Sequence, residues 1–155
     1  EIGVRLVGSE MCIRDSFYTV SHQGVIRALH FQRVHEQAKL VRCIKGKVFD
    51  VIVDLRPESP TFKKWQGFCL SEENMNELYV PEHFAHGYLV LEPSVVSYKC
   101  GEKFYGEYDD GIMYNDPDLG VEWPFDEIGG IENLIIADKD KNLQTFKEYE
   151  DKYLK

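Results

Sequence analysis

The feature that most constrains this chain is its punctuation. From Val20 onward, short β-forming runs are broken by turn residues about every 8–12 positions, with no long helical pattern between them. Residues 25–31 (VIRALHF) form the first run and 38–44 the next, closed by Lys45-Gly46-Lys47. The run 48–55 (VFDVIVDL) alternates: Phe49, Val51, Val53 and Leu55 share one face, while Asp50 and Asp54 stand with Val48 and Ile52 on the other. Arg56-Pro57-Glu58-Ser59-Pro60 ends it, because proline removes a ladder donor and fixes φ. Residues 65–70, 77–80, 87–91 and 95–99 complete the set. Such a pattern predicts an all-β antiparallel sandwich or barrel. Only the tail departs, since 142–155 places Leu143, Phe146, Tyr149 and Tyr153 at helical spacing and predicts a short C-terminal helix.

The 155 residues suit one domain with a real core, and no apolar stretch approaches the length of a bilayer span. Eighteen basic against twenty-seven acidic side chains give a net charge of -9, which disfavours a nucleic-acid partner unless one face is locally basic. A small anion is another matter, because two or three placed cations hold a diphosphate. Cys12, Cys43, Cys69 and Cys100 form no CxxC pair, and they read as thiols in a reducing cytoplasm. No secretory pattern opens the chain, which agrees with a cytoplasmic location. Residues 1–16 show neither period and resemble the peptide translated from sequencing-adapter DNA. They are expected to be foreign to a single domain over 17–155 that lacks its natural start.

Two segments concentrate acid–base chemistry: Gly24–Val53, which holds Arg27, His30 and Lys39, and Tyr79–Gly87 (YVPEHFAHG), which delivers His86 at the start of a strand. Arg27 and His30 differ by an odd number, so on a regular strand they face opposite sides unless a bulge intervenes. Taken singly, each residue has an ordinary structural explanation. Lys39 serves as a solvated edge lysine, His86 as a core histidine, Tyr98 and Tyr105 as core aromatics, and Asp140 as a helix N-cap.

Jointly they are not ordinary. The run GVIRALHFQ, QAKLVRCIKGKVFDVIVDLRPESPTFKKWQG, LYVPEHFAHGYLVLE, YKC, DDGIMYNDPDLGVEWP and ADKD, in that order, resembles the dTDP-4-dehydrorhamnose 3,5-epimerases over about residues 19–141. The resemblance implies a cupin jelly roll, a homodimer, no metal and no cofactor. It also implies a dTDP-4-dehydro-6-deoxy-D-glucose substrate inverted at the two carbons flanking its ketone. On that comparison His30 is the base, Asp140 its carboxylate partner, Lys39 the cation at the keto oxygen and Tyr98 the acid. Arg27, His86, Gln32 and Tyr105 are substrate contacts. A proton α to a carbonyl is too weakly acidic for an unaided base, so this set of groups is what the reaction demands.

Several positions depart from that family. Asp15 and Phe17 stand where Gln and Asn contacts are usual, Ala28 and His83 where Gly is usual, and an N-terminal Arg-Gly segment is missing. A metal reading would draw on His30, His35, Glu36, His83 and His86, yet the paired histidines one residue apart that metal cupins use are absent. Other readings are inversion of a single carbon, another cupin isomerase or oxygenase, and a non-catalytic sugar-nucleotide-binding cupin.

Overall fold

A computed structural model describes residues 15–155. Eight strands run in the order β1 (Asp15–Ser21), β2 (Val25–Gln32), β3 (Lys39–Asp54), β4 (Trp65–Ser71), β5 (Glu77–Val80), β6 (Phe84–Cys100), β7 (Asp109–Gly111) and β8 (Ile135–Ile136). Two short helices follow, α1 (Asp138–Lys141) and α2 (Phe146–Tyr153). All pairings are antiparallel except β2 with β8. No helix among the described residues is long and apolar enough to cross a membrane.

The all-β expectation holds, but the runs join differently. Residues 38–44 and 48–55 belong to one bent strand, β3, because Gly46 adopts φ 76° and lets the register against β6 shift three times between Cys43 and Val48. Residues 87–91 and 95–99 likewise fuse into β6. The C-terminal half of β3 and the N-terminal half of β6 pair with β4 and β2; their other halves pair with β5 and β1. Two layers of a jelly roll are thus built from shared strands, as apolar faces seeking cover dictate.

Alternation along β3 then decides the cores. Val41, Cys43 and Val48 pack with Leu70, Leu78, Val80, Tyr88, Val90, Val96 and Tyr98 in one cluster. Val51, Val53 and Leu55 pack with Ile26, Leu29, Leu89, Trp123 and the helix residues Phe146 and Tyr149 in the other. The tail helix is shorter than its apolar spacing predicts. Thr145 caps it, with the Glu148 N–H donating to Thr145 Oγ1 (3.2 Å) and the Thr145 N–H donating to Glu148 Oε2 (2.7 Å). Buried Asp116 fixes its start, accepting from the Phe146 N–H at 2.8 Å. The cap role for Asp140 is therefore corrected: Asp140 lies within α1, is buried and makes no cap bond.

Most of the segment 1–16 lies outside the described residues, so its foreign origin stays an expectation. Asp15 and Ser16 are the first residues of β1, opposite Cys100 and Lys99.

Candidate active site

Where β2 meets β6 the strands go out of step. Arg27 lies opposite Tyr88 but His30 opposite His86, so β2 carries one extra residue. That bulge removes the parity problem: Arg27 and His30 both line one cavity of about 690 Å³. Gly87 makes it feasible, since a Cβ there would come within 2.5 Å of the Arg27 carbonyl oxygen. The cavity is within the size range that holds small ligands.

His30, Asp140, Tyr98, Lys39, Arg27, His86 and Gln32 all line it. His30 Nε2 lies 3.1 Å from Asp140 Oδ1. With that nitrogen donating to the carboxylate, Nδ1 keeps its lone pair, and it is buried with no partner among the described residues. An imidazole oriented in this way is a base waiting for a proton. Beside it on the neighbouring strand, His86 Nε2 donates to Asp50 Oδ1 at 2.8 Å, and both side chains are buried.

Lys39, half-buried at the start of β3, has its ammonium pKa lowered by burial, an effect that Cys100, Asp109 and Asp50 partly offset. Tyr98 is 6% exposed, and burial first, then Tyr88 and Asp50, push its phenol well above 10.0. Phe17 stacks on it at 4.8 Å. Arg27 is exposed and has no ion-pair partner among the described residues. Lys139 also lines the cavity but is held by Asp109 at 2.5 Å.

Two of the residues expected as substrate contacts are placed differently from the rest. Tyr105 does not line the cavity: its ring stacks on His35 at 4.7 Å, and its neighbour Phe104 is the lining aromatic. Gln32 lines the wall, but its amide is committed to the loop. Oε1 accepts from the Tyr105 N–H (2.8 Å), while Nε2 donates to the His35 and Lys103 carbonyls. Sequence reasoning missed Asp50. Its signal was a carboxylate inside an apolar strand, which requires a buried partner.

The residues of the metal reading are divided among separate contacts. His30 goes to Asp140 and His86 to Asp50. His83 Nδ1 lies 2.7 Å from Glu36 Oε2, and His35 stacks on Tyr105. His83 takes φ 66° where glycine fits more easily, and its N–H donates to Glu36 at 2.6 Å. A neighbouring cavity of about 600 Å³ holds this pair, but Arg33 and Arg56 in its wall are already tied to Asp110 and Asp54.

The model of the dTDP-4-dehydrorhamnose 3,5-epimerase family matches residues 4–148. The chain belongs to this family. Its relative from Methanothermobacter thermautotrophicus, a dTDP-4-dehydrorhamnose 3,5-epimerase, is 48% identical over 131 residues, covering 84% of this chain and 69% of that protein. Among solved structures, the family fold recurs in the Legionella pneumophila dTDP-6-deoxy-D-glucose-3,5-epimerase in complex with dTDP-4-keto-L-rhamnose. That similarity has a TM-score of 0.85 at 36% identity, covering 92% of this chain and 73% of that one. A 3'-monoepimerase from Streptomyces bikiniensis in complex with dTDP-quinovose aligns with a TM-score of 0.83 at 29% identity, over 91% of this chain and 70% of that one.

Proposed function

We propose that this chain epimerises dTDP-4-dehydro-6-deoxy-D-glucose at C3 and C5 to dTDP-4-dehydro-L-rhamnose, as its family membership indicates. One observation carries the residue roles: the His30–Asp140 pair, Lys39 and Tyr98 line a single cavity. His30 Nδ1 takes the proton α to the ketone, and Asp140 holds the ring and its developing charge. Lys39 stabilises the enolate oxygen as negative charge builds there. Tyr98 returns a proton to the carbon, inverting it. Arg27 meets the diphosphate, which reconciles an acidic chain with an anionic ligand. His86, oriented by Asp50, contacts the sugar.

A homodimer is part of the proposal. Tyr18 and Val20 on β1, Ile44 on β3 and Tyr79 on β5 are 70, 72, 52 and 47% exposed on the outward side of one layer, and a second copy covers them. So is a cytoplasmic location.

Incubation with substrate in deuterated buffer tests the reading. NMR is expected to find deuterium at both carbons, and His30→Asn is expected to slow incorporation by about 10²–10⁴-fold. Normal incorporation by that variant would remove His30 from the role.

A further inference from the structure

A carbon α to a ketone, once deprotonated, has two fates. His30 can return a proton on the face it came from, or Tyr98 can supply one on the opposite face and invert the centre. Which fate prevails depends on how well the Tyr98 hydroxyl is aimed. That oxygen is the atom furthest from the backbone, so a small change of χ1 displaces it more than any ring carbon. The ring therefore needs a support of its own.

Phe17 supplies one from another strand. It lies directly opposite Tyr98 in the β1–β6 ladder. Their ring centroids are 4.8 Å apart and their planes differ by 21°, so Phe17 covers one face of the phenol ring. The other aromatic neighbours stand further off and at steeper angles, Tyr88 at 6.2 Å and 40° and His86 at 6.3 Å and 76°. Alternation along β1 sends Tyr18 and Val20 outward and leaves Phe17 and Thr19 on the cavity wall. Phe17 is also a position at which this chain departs from its family, so the stack is a feature of this chain.

We infer that Phe17 is a positioning residue: its ring holds that of Tyr98 where the hydroxyl meets the sugar face opposite His30, and so sets how often a deprotonated carbon is inverted rather than restored. The inference rests on the epimerase reading. In deuterated buffer the proton balance is simple. The α C–H bond breaks to His30, whose proton exchanges with solvent deuterium. The intermediate then regains a deuteron from His30 with its configuration kept, or takes the Tyr98 hydroxyl deuteron and is inverted. In the second case the phenolate recovers a deuteron from solvent, and nothing is oxidised or reduced.

The test takes, at early times and by NMR, the ratio of deuterated sugar that kept its configuration to deuterated sugar that was inverted. Both products arise from one bound intermediate, so the ratio does not depend on how much protein is folded or how tightly substrate binds. Phe17→Ala is expected to raise it about tenfold, the scale of a modest misalignment. Phe17→Tyr, which keeps a flat ring, is expected to stay near the parent value. In a Tyr98→Phe background, where only residual inversion is read, Phe17→Ala is expected to raise the ratio no further, because the group it acts through is gone. Should Phe17→Ala fold poorly, Phe17→Leu decides the matter, with a rise in the same direction expected. A parent ratio in Phe17→Ala or Phe17→Leu, or an equal further rise in the Tyr98→Phe background, overturns the positioning role and leaves the epimerase reading intact. No exchange by the unmodified chain overturns that reading, and the positioning role falls with it.

Discussion

Lys39 has two properties that pull against each other. Its ammonium must be charged to hold an enolate, yet burial makes the charge easier to lose. The sign follows directly: with the pKa lowered from 10.5, the active protonated form disappears at a lower pH than for a solvated lysine. The kcat profile should therefore show an alkaline limb below that value. Lys39→Arg should abolish the limb, because guanidinium stays charged, while costing rate through its different shape. A limb unmoved by Lys39→Arg would assign it elsewhere. Residue by residue, the family resemblance singled out His30, Asp140, Lys39, Tyr98, Arg27 and His86, and all six line one cavity. Asp50 was visible only as a carboxylate on the face of Val48 and Ile52. Its partner His86 is thirty-six positions away, and no local pattern reports such a pairing. Phe104 and Tyr105 are adjacent aromatics, and only the loop path, fixed by the Gln32 amide, settles which one enters the cavity.

The turn after β3 depends on one aspartate. Asp54 is 1% exposed; burial pushes its carboxyl pKa up, but hydrogen bonds from Arg56, Ser59 and Thr61 outweigh this and hold it well below 3.8. Arg56 Nε and the Ser59 and Thr61 hydroxyls donate at 2.8, 2.6 and 2.6 Å. A carboxyl depressed on folding adds stability above its ordinary pKa, and that stability is lost as pH falls through and below it. Asp54→Asn should cost about 2–3 kcal/mol near neutral pH. The variant should also lose less stability than the parent below about pH 4. Urea titrations at both pH values measure this, and equal acid sensitivity in the two proteins would contradict it. Strand positions here were legible from alternation and turn residues. Strand continuity was not: Lys45-Gly46-Lys47 and Glu92-Pro93 look like turns, but in the fold they are bends within β3 and β6. The tail helix was over-extended for a similar reason, since apolar spacing starts at Leu143, ahead of the Thr145 cap at which the helix begins.

For the whole molecule, assembly turns on the exposed apolar side of the β1–β6–β3–β5 layer. Val20→Glu puts a charge in the middle of that side without touching the cavity-facing Phe17 and Thr19. Light scattering should find a dimer for the parent and a monomer for Val20→Glu, and a monomeric parent would refute a dimer through this face. The shared strands have a consequence for how the fold comes apart. Because β3 and β6 run unbroken through both layers, neither layer can detach while the other survives. Loosening is left to the flanking strands β1, β4, β5 and β7, each of which pairs on one side only among the described residues. Amide protons at the centres of β3 and β6 therefore meet solvent only when the whole domain opens at once, whereas those of the flanking strands exchange through local fraying.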